Sequence, residues 1–351
     1  VEYFSSLDHL NVMKPDITIS VIIPVYNAAD TLQFCLEAIC ATSVSGYEII
    51  VVDDGSNDDS RTIARNFQCR IHQLHEQGGA AAARNAGARI ARGRILLFVD
   101  ADVIVPGNLI ERIVDDFNRD DVVAVQTLYT CPGRYSDTPS RYQNDYYHYF
   151  CTRIPGDNTS VFATWCAAVS REVFLSIGGF DQRIPGAAVE DEEFGYELVD
   201  RGYRIFLDRS LTVEHLARYS IGSFMKRRFF MARSQIKSAI RKAPLRFRRY
   251  ADLGQNPTHH SRRILLCIPL SFLIVLCGIL FFISPSLESA LCIFLSWLFL
   301  GGLVFDFLRF VGKTHGTLSV IPSLIMFWLD MMIVGCGLGF GAFEYTCGRR
   351  Y

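Results

Sequence analysis

Residues Ile95–Asp102 read ILLFVDAD: five apolar residues in a row, then two carboxylates separated by one alanine. An unbroken apolar run of that length, bounded by polar residues, is the pattern of a strand buried on both faces, as in a parallel sheet covered by helices. Working outward, the pattern recurs at Tyr47–Asp53 (YEIIVVD), followed by Asp54-Gly55-Ser56, and at Ile17–Pro24, followed by Val25-Tyr26-Asn27. Helical stretches fall between and after these runs, at Thr31–Cys40, Ser60–Phe67, the alanine-rich Ala80–Ala91 and Pro106–Phe117. Further strands are expected at Arg70–Leu74 and Val122–Tyr129. Strands alternating with helices predict an α/β domain, a mostly parallel sheet flanked by helices.

In such sheets ligands bind beyond the carboxyl ends of the strands. Those ends share a chemistry here: Pro24, Tyr26 and Asn27 after the first run, Asp53 and Asp54 after the second, Asp100 and Asp102 after ILLFV. Carboxylates gathered at one rim repel unless a hard divalent ion or sugar hydroxyls sit among them. Gly78-Gly79 before the alanine-rich helix suits a phosphate at a helix start, but neither G-x-G-x-x-G nor G-K-[ST] is present, which argues against a dinucleotide or P-loop site. Arg84 on that helix is placed to pair bidentately with a diphosphate. Gly178-Gly179-Phe180-Asp181 then precedes Val189–Gly195 (VEDEEFG), where four acids open a helix. Carboxylates there complement the helix macrodipole, and one within hydrogen-bond reach can take a proton from a hydroxyl nucleophile. The aromatic stretch Arg141–Phe150, with Tyr146, and Trp165 either stack on sugar rings or pack beneath a loop.

The chain has 351 residues, half of them hydrophobic, which excludes disordered and fibrous classes and favours two regions over one. Its net charge of −1 hides an asymmetry: residues 221–263 hold twelve Lys/Arg and one acid, +11, so the remainder carries −12. Directly afterwards Ile264–Ile283 has no charged residue and is long enough to cross a hydrocarbon core of roughly 30 Å. Leu287–Phe305 and Leu318–Phe343 are two further candidates; the latter carries Asp330, costly in lipid unless it faces a helix partner or a wet cavity. About three spans are expected. An interfacial or re-entrant course is the alternative for the last, because three crossings would leave Arg349 and Arg350 on the far side. The basic collar, with Phe229, Phe230, Ile236 and Ile240 among its charges, reads as an interfacial segment drawn to anionic lipid rather than to nucleic acid. By the positive-inside rule it places the residues before Ile264 in the cytoplasm of a multi-pass membrane protein of the bacterial inner-membrane kind. The expected division is an extension (1–16), the α/β domain (17–220), the interfacial segment (221–263), membrane helices (264–343) and a tail (344–351). Val1–Pro15 has no apolar stretch behind a basic start, so no secretory leader is expected there. Eleven cysteines without a C-x-x-C pair are expected to be reduced thiols.

The series PVYN, VDDGS, AARNAG, FVDAD, GGFD, VEDEEFGYELVDRGYRI and VEHL, from about Ile17 to Leu216, resembles the inverting family 2 glycosyltransferases with the nucleotide-sugar-binding GT-A fold. The resemblance implies that Tyr26, Asp54 and Arg84 hold the nucleoside and diphosphate, with Pro24, Asn27 and Asp53 on the same donor-binding rim. It further implies that Asp100 approaches the ribose, that Asp102 coordinates Mg2+ or Mn2+, and that His215 touches the metal or the diphosphate. Asp191 would be the general base, with Glu190 beside it. The donor would be a nucleotide-diphosphate sugar, a UDP-sugar first, and the acceptor a saccharide or lipid-linked hydroxyl met by Trp165 and Tyr146. Processive synthases of this family carry Q-x-x-R-W, whereas this chain has only Met225–Phe230 (MKRRFF) and Ala232-Arg233-Ser234-Gln235 in that neighbourhood, which argues against a long polymer product. A polyprenyl-phosphate sugar synthase is the alternative. A nucleotidyltransferase has no use for GGFD followed by Glu190-Asp191, and a catalytically silent scaffold has none for Asp100, Asp102 and Asp191.

Overall fold

The computed structural model describes residues 17–42, 44–184, 189–251 and 262–349. The expected extension, 1–16, lies outside them. The first half runs β1 (Ile19–Val25), α1 (Ala29–Cys40), β2 (Tyr47–Asp53), α2 (Ser60–Arg65), β3 (Arg70–Gln73), α3 (Gly79–Ile90) and β4 (Ile95–Val99). Its four strands lie side by side, all parallel, in the order β3-β2-β1-β4. The period of two divides their side chains between two cores: Val21, Ile23 and Leu97 face one, Ile22, Leu96 and Phe98 the other. Both faces are dry, which is why the runs show no polar alternation.

The chain continues through β5 (Val103–Ile104), α4 (Leu109–Phe117), β6 (Val122–Tyr129), α5 (Thr138–Thr152), β7 (Asn158–Thr159), β8 (Cys166–Ser170), α6 (Arg171–Ile177), α7 (Glu190–Asp200) and β9 (Arg204–His215). Beyond β4 the sheet order is β8-β6-β9-β5. The first four strands are parallel as expected, and the antiparallel pairings come after them. β8 runs antiparallel to both β4 and β6, while β9 is parallel to β6, so the whole is a mixed sheet. β8 escapes a pattern search because its buried run, Cys-Ala-Ala-Val, is short and poor in β-branched or aromatic residues.

The C-terminal region consists of α8 (Ile221–Ala251), α9 (Arg262–Ile283), α10 (Leu287–Leu303), α11 (Phe305–His315), a 3₁₀ turn at Thr317–Ser319 and α12 (Val320–Thr346). Two segments, Arg263–Ile283 and Thr317–Thr346, are long and apolar enough to cross a membrane, and α10 with α11 makes a third only as a span broken by a 75° bend. The break therefore falls on the second expected span, while the third is covered by one continuous helix, α12. The cause is local: Asp306, Arg309 and Lys313 make α11 amphipathic, and it buries Phe307, Leu308 and Val311 instead of prolonging α10.

Within the basic collar, Arg228, Arg233, Lys237 and Arg241 find partners inside the protein. α8 packs along α12, where a Cβ on Gly337 would come 2.6 Å from the Phe229 carbonyl oxygen and one on Gly341 2.5 Å from that of Arg233. Small residues four apart let the backbones meet. Arg228 donates to Asp330 through Nε (2.5 Å) and Nη2 (3.0 Å), and the same carboxylate accepts from Tyr142 Oη at 3.0 Å. Arg233 and Lys237 reach Glu344, and Arg241 reaches Glu193 and Asp181. These cations answer the protein's own acids, since a carboxylate buried beside an apolar helix must be paired. From the α/β domain, Tyr142, Tyr146 and Tyr149 of α5 share one core with Phe224, Phe307 and Phe327. None of the eleven cysteines is in a disulfide.

Candidate active site

After β4 the chain turns through Asp100-Ala101-Asp102, and β5 pairs antiparallel with the end of β9 so that Val103 lies opposite His215. This register sets Asp102 Oδ2 3.4 Å from His215 Nε2. Burial lowers the pKa of His215 below its ordinary value against the pull of Asp102, which favours the neutral imidazole that ligates metals. The Tyr129 ring lies 5.0 Å from the imidazole, centroid to centroid.

Asp100 is held from the other side. Arg84 Nη2 donates to its Oδ1 at 2.7 Å, and Arg84 Nη1 donates to Glu190 Oε1 at 3.0 Å. Burial pushes the Asp100 carboxyl above the usual carboxylate range, Arg84 opposing and Asp102 reinforcing. Burial works against the Arg84 cation, but Asp100, Glu190 and Asp191 outweigh it and keep the guanidinium charged. Its Nε is buried without a hydrogen-bond partner. Next to it, Asn85 clasps the backbone of Phe180 in both directions (2.8 and 2.9 Å). This fixes the Gly178-Gly179 turn, where Gly179 has φ +74° and a Cβ would meet Asn85 Oδ1 at 2.5 Å.

Asp191 sits in the first turn of α7. Its Oδ2 accepts from Thr164 N and Oγ1, both at 3.1 Å, and its Oδ1 from Glu192 N at 2.8 Å, so neighbours fix the plane of the carboxylate. Glu192 faces the same space; burial first, then Asp191, pushes its carboxyl up to about 8, with Gln235 opposing.

These groups enclose one cavity of about 130 Å³. Arg84, Asp100, Asp102, Glu190, Asp191 and His215 line it, as expected from the sequence, and so does Trp165, whose indole N–H is buried without a partner. Tyr146 does not. It is buried against Phe150 and Phe307, and Tyr147 lines the cavity instead, because one step along a helix turns a side chain by roughly 100°. Sequence reasoning also missed Tyr129, Thr164, Glu192 as a cavity group, Tyr196 and Arg227. The Lys226-Arg227-Arg228 run was the available signal for Arg227, but nothing in it tells which arginine faces the cavity.

The remaining expected donor-binding residues form an adjoining rim outside the cavity walls. Tyr26 stands half exposed after β1. Asn27, at φ +50°, accepts from Asn57 N at 2.9 Å. Pro24 lies opposite Val52 in the β1–β2 register. Asp53 accepts from Ser56 N at 3.0 Å, and Asp54 accepts from Gly78 N (2.7 Å) and Gly79 N (2.8 Å). The amides at the start of α3 that suit a phosphate are thus taken by the protein's own carboxylate.

For a divalent ion, Asp102 Oδ2 and His215 Nε2 stand side by side while Asp100 is committed to Arg84. Two protein donors fit an ion that keeps water and phosphate oxygens as its other ligands.

The family model described as Glycosyl transferase family 2 matches residues 20–178. Over 228 residues the chain is 30% identical to the glycosyltransferase AglE of Haloferax volcanii, an alignment covering 62% of this chain and 73% of AglE. The chain belongs to glycosyltransferase family 2. A shorter match to the glycosyltransferase GlyG of Streptococcus pneumoniae, 39% identical over 112 residues, covers 30% of this chain and 37% of GlyG. The solved structure of the mannosyltransferase PcManGT from Pyrobaculum calidifontis, in complex with GDP-Man and Mn2+, aligns with a TM-score of 0.58 at 21% identity, covering 90% of this chain and 89% of that one. This glycosyltransferase shares its GT-A fold.

Proposed function

We propose that this glycosyltransferase moves a sugar from a nucleoside diphosphate, a UDP-sugar first, to an acceptor hydroxyl at the cytoplasmic face of a membrane, with inversion and with a divalent ion held by Asp102 and His215. One observation carries the reading: a single small cavity gathers a fixed carboxylate (Asp191), an arginine shared between two acids (Arg84) and a carboxylate–imidazole pair (Asp102 and His215). The ion, when bound, supplies positive charge to the departing diphosphate. Arg84 adds a second cation already fixed in place by Asp100 and Glu190, so little reorganisation is needed as charge develops. Asp191 takes the proton of the acceptor hydroxyl, its carboxylate oriented by Thr164. Attack comes from the face opposite the leaving group, so no covalent enzyme intermediate forms. The rim of Pro24, Tyr26, Asn27, Asp53 and Asp54 receives the nucleoside. PcManGT was solved with a nucleotide sugar and Mn2+, which agrees with this donor class and metal.

A lipid-linked acceptor is supported by the wall that α8 contributes. Arg227 and Met231 face the cavity from a helix packed along α12. Leu266, Leu276, Phe282, Leu318 and Ile321 are all at least half exposed on the apolar helices, a surface that calls for lipid. Trp165 and Tyr147 offer rings to a sugar.

The test is a screen of UDP-, GDP- and dTDP-sugars for metal-dependent binding and hydrolysis by the detergent-solubilised chain, with saccharide, lipid-linked sugar and polyprenyl phosphate as acceptors. Asp102→Ala should abolish transfer while leaving the fold intact. Full transfer in that variant, or in excess chelator, would overturn the metal assignment.

A further inference from the structure

Away from the cavity, three side chains from distant elements meet where the catalytic domain touches α11. Cys131 lies just beyond β6, Asp145 in the middle of α5, and His315 is the last residue of α11. Asp145 Oδ1 lies 3.0 Å from His315 Nε2 and 3.6 Å from Cys131 Sγ. One donor atom from each residue falls within 4.8 Å of the others. We propose that Cys131, Asp145 and His315 form a binding site for a transition-metal ion of the zinc class, which fastens the end of α11 to the catalytic domain.

Donor chemistry sets the class of ion. A thiolate, an imidazole and a carboxylate suit zinc, whereas magnesium prefers oxygen ligands alone. With metal–sulfur bonds of about 2.3 Å and metal–nitrogen or metal–oxygen bonds of about 2.0–2.2 Å, tetrahedral donors sit ~3.3–3.6 Å apart; Asp145 Oδ1 already has that spacing to Cys131 Sγ and is slightly inside it to His315 Nε2, so small shifts admit an ion whose fourth position is left to water. A second observation points the same way. Asp145 is fully buried and its Oδ2 has no hydrogen-bond partner, a state that is costly for a carboxylate. The neighbouring cation leaves it so: Arg141 sends Nη1 to Ser319 Oγ at 3.2 Å and makes no ion pair with Asp145. Asn144 Nδ2 holds the Thr130 carbonyl at 2.9 Å, which keeps the Cys131 loop against α5. On binding, the Cys131 sulfur forms a bond to the metal and its proton leaves to solvent; no oxidation state changes. The site shares no residue with Asp102 and His215.

Cobalt(II) is the probe. The full chain in detergent, stripped with chelator and titrated with Co2+, should develop a thiolate-to-cobalt charge-transfer band with a stoichiometry of one, and zinc should quench it. The band should persist in Asp102→Ala and vanish in Cys131→Ser. His315→Gln should weaken zinc affinity at least about tenfold in competition with a chelator. No band in the native chain, or an undiminished band in Cys131→Ser, would overturn the proposal. Should Cys131→Ser fail to fold, alkylation of the native chain decides: zinc must protect Cys131 from a thiol reagent, and equal labelling with and without zinc would reject the site.

Discussion

Two buried arginines organise this molecule, and they are built differently. Arg84 binds Glu190 across 106 residues of sequence, and Arg228 binds Asp330 across 102. Arg84 divides its guanidinium between Glu190 and Asp100, and the Asp100 side chain is 30% exposed at the cavity. Arg228 gives two nitrogens to one carboxylate that is 1% exposed and also takes the Tyr142 hydroxyl. The first network keeps an open side and an unused Nε; the second is closed. Burial and charge are the same in both, so what separates a site from a clasp is the bonding capacity left over.

The largest expected effect is at the open side. Asp191→Asn should lower the turnover rate by roughly 10²–10⁴ with donor affinity nearly unchanged; lost donor binding at an unchanged saturated rate would make Asp191 a binding residue. At the closed clasp, Asp330→Leu strands the Arg228 charge and should cost about 3–5 kcal/mol of stability, while Arg228→Met with Asp330→Leu recovers most of it. Thermal unfolding in detergent reads both, and a single variant as stable as the parent would end the distinction drawn here. Arg227 sharpens it further. It faces the cavity, and no carboxylate lies within ion-pairing distance of it among the described residues. Arg227→Gln should therefore weaken donor or acceptor affinity about tenfold, the order of one charge-assisted hydrogen bond, with the unfolding midpoint unmoved. A lowered midpoint would place Arg227 with the clasp.

The smallest effect concerns Glu192. Its carboxyl, ordinarily at 4.5, is raised to about 8 in the folded chain. The folded state therefore holds a proton that the unfolded state releases. The stability from this group is fully present below pH 4.5 and is lost as pH rises toward 8. Glu192→Gln should flatten the fall in unfolding midpoint across that window, and an unchanged slope would assign the titration elsewhere.

What the sequence made legible were features carried within one element. The runs at Val21, Ile50 and Leu97 announced strands buried on both faces, and the acids at Asp100, Asp102 and Asp191 stood out because they follow an apolar strand or open a helix. What stayed hidden depends on rotational phase or pairing between elements far apart. Whether Tyr146 or Tyr147 reaches the cavity is a matter of helix phase, as is the division of labour between Arg227 and Arg228. The meeting of Asp102 with His215 required the two-residue β5 to find the end of β9, a pairing too short to leave a trace in composition. The pairing of Arg228 with Asp330 and of Arg233 with Glu344 was hidden for the same reason, since those acids lie about a hundred residues downstream.

The core that Tyr142 and Tyr149 share with Phe224, Phe307 and Phe327 bears on how such an enzyme can be taken apart. Excising the helices would strip the covering from three aromatic residues of α5 and orphan Arg228 at the same cut. A water-soluble fragment therefore needs those positions redesigned, and grafting a foreign anchor onto this catalytic half would have to carry matching residues for all of them. The two halves are packed as one unit.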